Sequence, residues 1–213
     1  MTAEPDDAAR RRGRPPATDS TDTWCTILDV SRRLFAERGY SAVTNKDLAA
    51  AAGVTTSALY HYVESKLDLY VAVHRDVLRR IGRRFNDALA SSDTFVGKVQ
   101  AVLEASSEMN GSDPSFAQFT GVVRADMRRF PEIAERLSRE VAQTEKFFVD
   151  LVETGIATGE IDPAHRDAAT AFVRLALIGL TDGETTEHRG HRCAIDGVML
   201  LLRGELVHPI AGG

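Results

Sequence analysis

The chain has 213 residues, 43% of them hydrophobic and only seven of them proline, enough apolar content for a sizeable core. It has no run of eighteen apolar residues to span a membrane and no apolar leader at its start. Its two cysteines, Cys25 and Cys193, are too far apart in sequence to suggest a disulfide framework, so the expected setting is cytoplasmic. The net charge of −5 argues against a nucleic-acid partner, but the region from Arg10 to Lys66 carries nine Lys/Arg against six Asp/Glu and is locally basic.

Residues 1–19 are rich in Arg, Pro, Ala and Asp and poor in apolar groups, the composition of a disordered arm. From Trp24 the spacing becomes helical through Ile27/Leu28 and Leu34/Phe35, predicting a first helix over about 22–38 with Gly39 as its stop. Thr44 and Asp47 stand at capping-box spacing and open a second, short helix that Gly53 ends. Thr55 or Thr56 starts a third, with Leu59 and Val63 as an apolar i, i+4 pair. Ser65 and Asp68 repeat the capping-box spacing and open a long helix over about 65–90, striped by Leu69, Val73, Val77, Ile81, Phe85 and Leu89. A fifth helix ends at Asn110-Gly111. A sixth opens with Asp113 as cap and Pro114 in its first turn, and Phe130-Pro131 starts a seventh that runs to about Thr158. "IDPAHRDAATAFVRLALIGL" and "HRCAIDGVMLLLRGELV" supply the last two. No segment alternates with period two, so the predicted class is all-α with about nine helices.

The second and third helices, joined by "AAGV", make a helix-turn-helix whose small core is Leu48, Ala52, Val54, Leu59 and Val63. That leaves Thr55, Thr56, Ser57, Tyr60, His61 and Tyr62 around the rest of the third helix. Hydroxyls at its N-terminal end suit base edges or phosphates, a position the helix dipole also favours for phosphate; Tyr and His suit phosphates, and Lys66 adds a point charge. Residues 60–62 do not share one face of a helix, so one of the two tyrosines is expected to pack beneath helices 1 and 4.

"LFAERGYSAVTNKDLAAAAGVTTSALYHYVESKLDLY" resembles the DNA-binding domain of the TetR family of bacterial transcriptional repressors over about residues 23–70, including the length of every turn. The resemblance implies that Asn45 and Lys46 touch the DNA backbone or an outer base. Thr55, Thr56, Ser57 and Ala58 become base-reading candidates, and Tyr60, His61, Tyr62 and Lys66 phosphate clamps. With no Arg or Gln in the third helix, bidentate readout of guanine or adenine is missing there, leaving hydroxyls, thymine methyl contacts and DNA shape. In "RRRGRPP", Arg14 belongs to an Arg-Gly-Arg-Pro run shaped like a minor-groove insert; a plain solubilising leader is the alternative.

The resulting organisation is an arm over 1–19, a helix-turn-helix domain over 20–68, and an effector-binding and dimerisation domain over 69–213. In the family the second domain is dimeric, its last two helices forming a four-helix interface with the partner. The interface candidates are Arg174, Leu177, Gly179, Gly183, Gly197 and Leu201. The two apolar segments need a partner and the glycines let helix axes approach closely. Arg174 has three readings: an ion pair across the dimer, snorkelling to solvent, or an anionic ligand group. Pocket candidates are Leu103, Met109, Phe119, Val123, Met127, Phe147, Leu151 and Phe172, each of which also reads as plain core. "ETTEHRGHRC" is a weak metal signal and reads better as a connecting loop, so no metal and no cofactor is expected. Nor is there a phosphate-binding Gly loop, nucleophile elbow or dinucleotide fingerprint, which argues against an enzyme. The expected protein is a homodimeric repressor on a palindromic double-stranded DNA operator, released by a small, mainly apolar effector. Its rival is an all-α ligand-binding or enzymatic protein whose helix pair does not regulate transcription.

Overall fold

The computed structural model of the chain describes residues 17–179 and 188–206, and among these there is no strand. Among the described residues ten α-helices follow one another: α1 Ala17–Ala42, α2 Asn45–Ala51, α3 Thr56–Leu59, α4 Lys66–Leu89, α5 Phe95–Ser112, α6 Ser115–Arg129, α7 Pro131–Arg136, α8 Ser138–Ala157, α9 Arg166–Gly179 and α10 His188–Leu202. A 3₁₀ turn, Pro163–His165, leads into α9. No described helix is long and apolar enough to cross a membrane.

Local chemistry sets most of the ends. Thr44 accepts from the amide of Asp47, whose carboxylate accepts from the Thr44 amide at 2.9 Å, so the capping box at α2 is formed. Ser65 Oγ accepts from the Asp68 amide at 3.1 Å to open α4. Asp113 accepts from the Ser115 amide at 3.1 Å and places Pro114 just ahead of α6. Gly39 stops the first helical run as expected: its φ of 72° is a left-handed conformation that glycine adopts without steric cost, and a short second run, counted within α1, follows through Ala42. The expected seventh helix is divided at Leu137 into α7 and α8. Leu137 and Ile133 are both fully buried, and their packing turns the chain where the sequence has neither Gly nor Pro.

Two buried clusters organise these helices. The first joins Ile27, Phe35, Leu48, Leu59 and Leu69 to Phe119, Val123, Ile133 and Leu137. The second joins Phe95, Val102 and Leu103 of α5 to Phe148, Leu151, Val173, Leu177, Ile195 and Met199. The boundary expected at residue 68 therefore falls inside the first cluster, where α6 packs on α1 and α4, and α7 on α4. Each such apolar side chain, fully buried, contributes about 1.5–3 kcal/mol relative to exposure.

Candidate nucleic-acid interface and effector cavity

The turn between α2 and α3 is held by its own backbone. Val54 N donates to Ala49 O at 3.0 Å and Gly53 N to Ala50 O at 3.1 Å, with Gly53 at φ 67°. This is the paired closure of a helix that ends in a left-handed residue. Leu48 and Leu59 are buried, and Ala52, Val54 and Val63 pack against them, the small core expected from the spacing. Thr55 Oγ1 accepts from the Ala58 amide at 3.0 Å and starts α3, a single turn that continues through His61 N to Ala58 O at 3.1 Å. So short a helix has little macrodipole, so its own hydroxyls are left as its means of contact.

Lys46, Thr55, Thr56, Ser57, Tyr60 and His61 are all exposed, and Asn45 and Ala58 are half-buried. Asn45 Nδ2 donates to Tyr60 Oη at 2.5 Å, joining the start of α2 to the end of α3. Tyr60 is 47% exposed, whereas the Tyr62 ring stacks on Trp24 at 5.7 Å and 4° and packs on the first cluster. Tyr62 is thus the tyrosine that turns inward, a correction to its reading as a clamp.

Lys66 is corrected as well. Its Nζ donates to Tyr40 O at 2.8 Å and Val43 O at 2.9 Å and lies 4.3 Å from the centre of the Tyr40 ring. Burial lowers its pKa, partly opposed by Asp126. The ammonium ties down the loop between α1 and α2. Arg14 lies outside the described residues.

α6 is fastened to α1 near both of its ends. Arg32, 2% exposed, donates from Nη2 to Asp113 Oδ2 at 2.7 Å, from Nε to Ser115 Oγ at 2.9 Å and from Nη1 to Asp29 Oδ1 at 3.0 Å. Farther along, buried Asp126 accepts from the Tyr40 amide at 3.0 Å and from Tyr70 Oη at 2.7 Å. Neither latch was foreseen; their partners are 56 to 86 residues apart in the chain, beyond any local pattern.

The other side of α6 faces a cavity of about 470 Å³, walled also by α4, α5, α8 and α9. Of the pocket candidates, Met109, Val123, Met127 and Phe147 line it. Leu103, Phe119, Leu151 and Phe172 do not: Phe119 is fully buried against Phe35 and Tyr70, and the other three pack in the second cluster. Ile81, Phe85, Phe116 and Phe148 line it instead, with His74, Asn86, Asn110, Thr120, Arg124 and Gln143 as polar groups. Ile81 and Phe85 were visible in the α4 stripe but read there as core. His74 stands one residue past Val73 of that stripe, a polar side chain at the edge of this wall.

At the far end, Leu177 is 7% exposed and lines the cavity, so it belongs to the chain's own interior and not to an outward seam. Leu175 is 71% and Leu201 46% exposed. A Cβ added at Gly179 or Gly197 would meet nothing within 4 Å among the described residues. Gly183 lies outside the described residues. Arg174 is exposed and pairs within the chain with Glu145 at 3.3 Å. Among the described residues no group of three His, Cys, Asp or Glu is placed to hold a metal ion.

Residues 27–73, which contain α2, the turn, α3 and the packed part of α1, match the family described as bacterial regulatory proteins, tetR family. The chain is 27% identical over 151 residues to the HTH-type transcriptional repressor KstR2 of Mycolicibacterium smegmatis, covering 70% of this chain and 72% of that one. Among solved structures it is similar to the ketosteroid transcriptional regulator KstR2 of Mycobacterium tuberculosis, with a TM-score of 0.63, 24% identity, and 85% and 93% of the two chains covered. It is also similar to the transcriptional regulator FadR of Bacillus subtilis in complex with stearoyl-CoA, with a TM-score of 0.73, 18% identity, and 87% and 100% covered.

Proposed function

We propose that the chain, whose residues 27–73 match the bacterial regulatory proteins of the tetR family, is a cytoplasmic, non-enzymatic repressor that binds a palindromic operator as a homodimer. The observation that carries this reading is the exposed polar edge of the helix-turn-helix: Lys46, Thr56, Ser57, Tyr60 and His61 stand in the open while Leu48, Ala49, Ala52, Val54, Leu59 and Val63 are packed. Thr56 and Ser57 read base edges. Lys46, Tyr60 and His61 hold phosphates, and the Asn45–Tyr60 bond fixes where the phenol sits. The Arg14 arm adds a minor-groove contact. Two-fold symmetry sets the two recognition helices about one DNA turn apart, roughly 34–36 Å.

The dimer seam is the outer face of α9 and α10, where Leu175, Leu200 and Leu201 are exposed. The effector occupies the cavity of about 470 Å³, within the ~300–1,000 Å³ usual for small-molecule sites, and its apolar wall selects a mainly apolar molecule. Filling the cavity bears on α6, and α6 is bolted to α1 by Arg32 and Asp126, so a shift of α6 changes the angle of the helix-turn-helix. Release requires the effector to favour the non-binding arrangement, since equal affinity for both states shifts nothing.

The test is a gel shift of the chain on DNA from upstream of its own coding sequence, at several salt concentrations and against unrelated competitor. A salt-dependent complex that resists competitor is expected. Equal binding to both DNAs would leave a non-specific basic surface and end the repressor reading.

A further inference from the structure

Two neighbouring buried side-chain atoms, His74 Nδ1 and Glu140 Oε2, have no hydrogen-bond partner among the described residues. His74 is 7% exposed and lines the cavity, and Glu140 is equally buried on the first turn of α8. The two groups act on each other's ionisation. Burial pulls the imidazole down to about 4, so it is neutral at physiological pH. Burial of Glu140 opposes ionisation, but Arg75, whose Nε donates to Oε1 at 2.6 Å, holds the carboxyl below its ordinary range and charged. Nearly all buried polar atoms in folded proteins are hydrogen-bonded, and one left unpaired costs about 1–3 kcal/mol. The two atoms sit on neighbouring residues and are themselves closed off, so what the cavity meets is the rest of the His74 ring, a nearly buried polar group on an otherwise largely apolar wall.

We infer that His74 is the polar anchor of the effector, and that the effector presents a hydroxyl group to it from an otherwise apolar body. The inference rests on the reading of the cavity as the effector site. A neutral imidazole offers one N–H and one lone pair, the complement of a hydroxyl that both accepts and donates. An anionic head placed there meets the Glu140 carboxylate. An ammonium head meets the Arg75 guanidinium beside that carboxylate and is stripped of water in an apolar cavity. A hydrocarbon alone leaves the imidazole as it is.

Three ten-carbon probes separate these cases: decan-1-ol, the near-isosteric 1-chlorodecane, and decanoate. Each is titrated into the full chain, with affinity read from the thermal midpoint, for wild type, His74→Leu and His74→Gln. Decanol is expected to bind wild type roughly tenfold more tightly than chlorodecane. His74→Leu loses that preference while retaining chlorodecane, and His74→Gln, which keeps a donor and an acceptor, restores part of it. Decanol preference unchanged in both variants, or decanoate as the strongest ligand regardless of residue 74, overturns the anchor while leaving the cavity as the site. If none of the three binds wild type, the apolar-effector reading fails and the anchor with it. Circular dichroism identifies a His74→Leu chain that does not fold, in which case His74→Gln decides: its decanol preference must lie between parity and the wild-type value.

Discussion

The Arg32 guanidinium lies 3.9 Å from the centre of the Phe116 ring, so a side chain of α1 is stacked on a residue that also forms the cavity wall. The same guanidinium holds Asp113 and Ser115 at the start of α6 and is 2% exposed. Arg32 is buried but Asp113 and Asp29 are 24% and 39% exposed, so water takes over the carboxylates and the loss is that of the hydrogen bonds, about 1–3 kcal/mol. Arg32→Ala is expected to lower stability on that order in urea unfolding. Phe116→Leu, which keeps an apolar wall but removes the stacked ring, is expected to lose about 1 kcal/mol and to blunt effector-driven release of DNA. A wild-type unfolding midpoint for Arg32→Ala would show the network to be idle.

Lys66 separates a structural from a DNA-contacting lysine. Its ammonium satisfies Tyr40 O and Val43 O, so Lys66→Met keeps the stem and orphans two carbonyls, an expected loss of about 1–3 kcal/mol. Lys46, exposed at the start of α2, makes no such bond among the described residues. Lys46→Ala is expected to leave stability within about 0.5 kcal/mol and to reduce the slope of log affinity against log salt by about one. The reverse pattern, a flattened salt slope for Lys66→Met with unchanged stability, would restore Lys66 as a phosphate clamp.

These two lysines also mark what was legible in the sequence. Helix starts were readable where cap and capped amide lie within three residues, as at Thr44/Asp47 and Ser65/Asp68. The helix-turn-helix followed from the same short-range chemistry. Lys66 sits in the first turn of α4, but the carbonyls it binds are 23 and 26 residues away, and no local pattern announces them. The cavity wall was legible only in part, at Met109, Val123, Met127 and Phe147, for a related reason. Phe116 and Phe119 are three apart on α6 and periodicity puts both on one side. Contact with Phe35 and Tyr70 makes Phe119 core, while Phe116 is left to the cavity. The break at Leu137 was invisible because packing causes it, without a proline or glycine.

Acid should weaken the fold through His74. Its folded pKa of about 4 lies below the ordinary histidine value, so between about 4 and 6.5 the unfolded chain binds a proton that the folded chain does not. Stability from this group is complete above about 6.5 and falls with decreasing pH through that window, by roughly 2 kcal/mol between pH 7 and 5. His74→Gln should flatten this part of the curve in denaturant unfolding. The carboxyls held low, Asp68, Asp113, Glu140 and Glu160, contribute loss only at lower pH. A His74→Gln curve parallel to wild type between pH 7 and 5 would mean the imidazole is not buried in the neutral form.

The dimer seam can be tested with two leucines two residues apart on α9. Two residues advance a helix by about 200°, so Leu175 and Leu177 point to opposite sides: one is 71% exposed, the other 7%. Leu177→Asp puts a charge into the second cluster, where nothing is placed to pair it, and is expected to destabilise the chain by several kcal/mol, often to the point of unfolding. Leu175→Asp stays in solvent in a lone chain and leaves the fold intact. If α9 and α10 form the seam, that charge is carried into an apolar contact between two copies, and folded monomer is the expected product. Sedimentation velocity reads the mass and circular dichroism the fold. Leu201→Asp, from the exposed face of α10, should behave as Leu175→Asp does. Loss of the second copy should also weaken operator binding, because each half-site is then held alone. A Leu175→Asp chain that still sediments as a folded dimer would move the interface elsewhere.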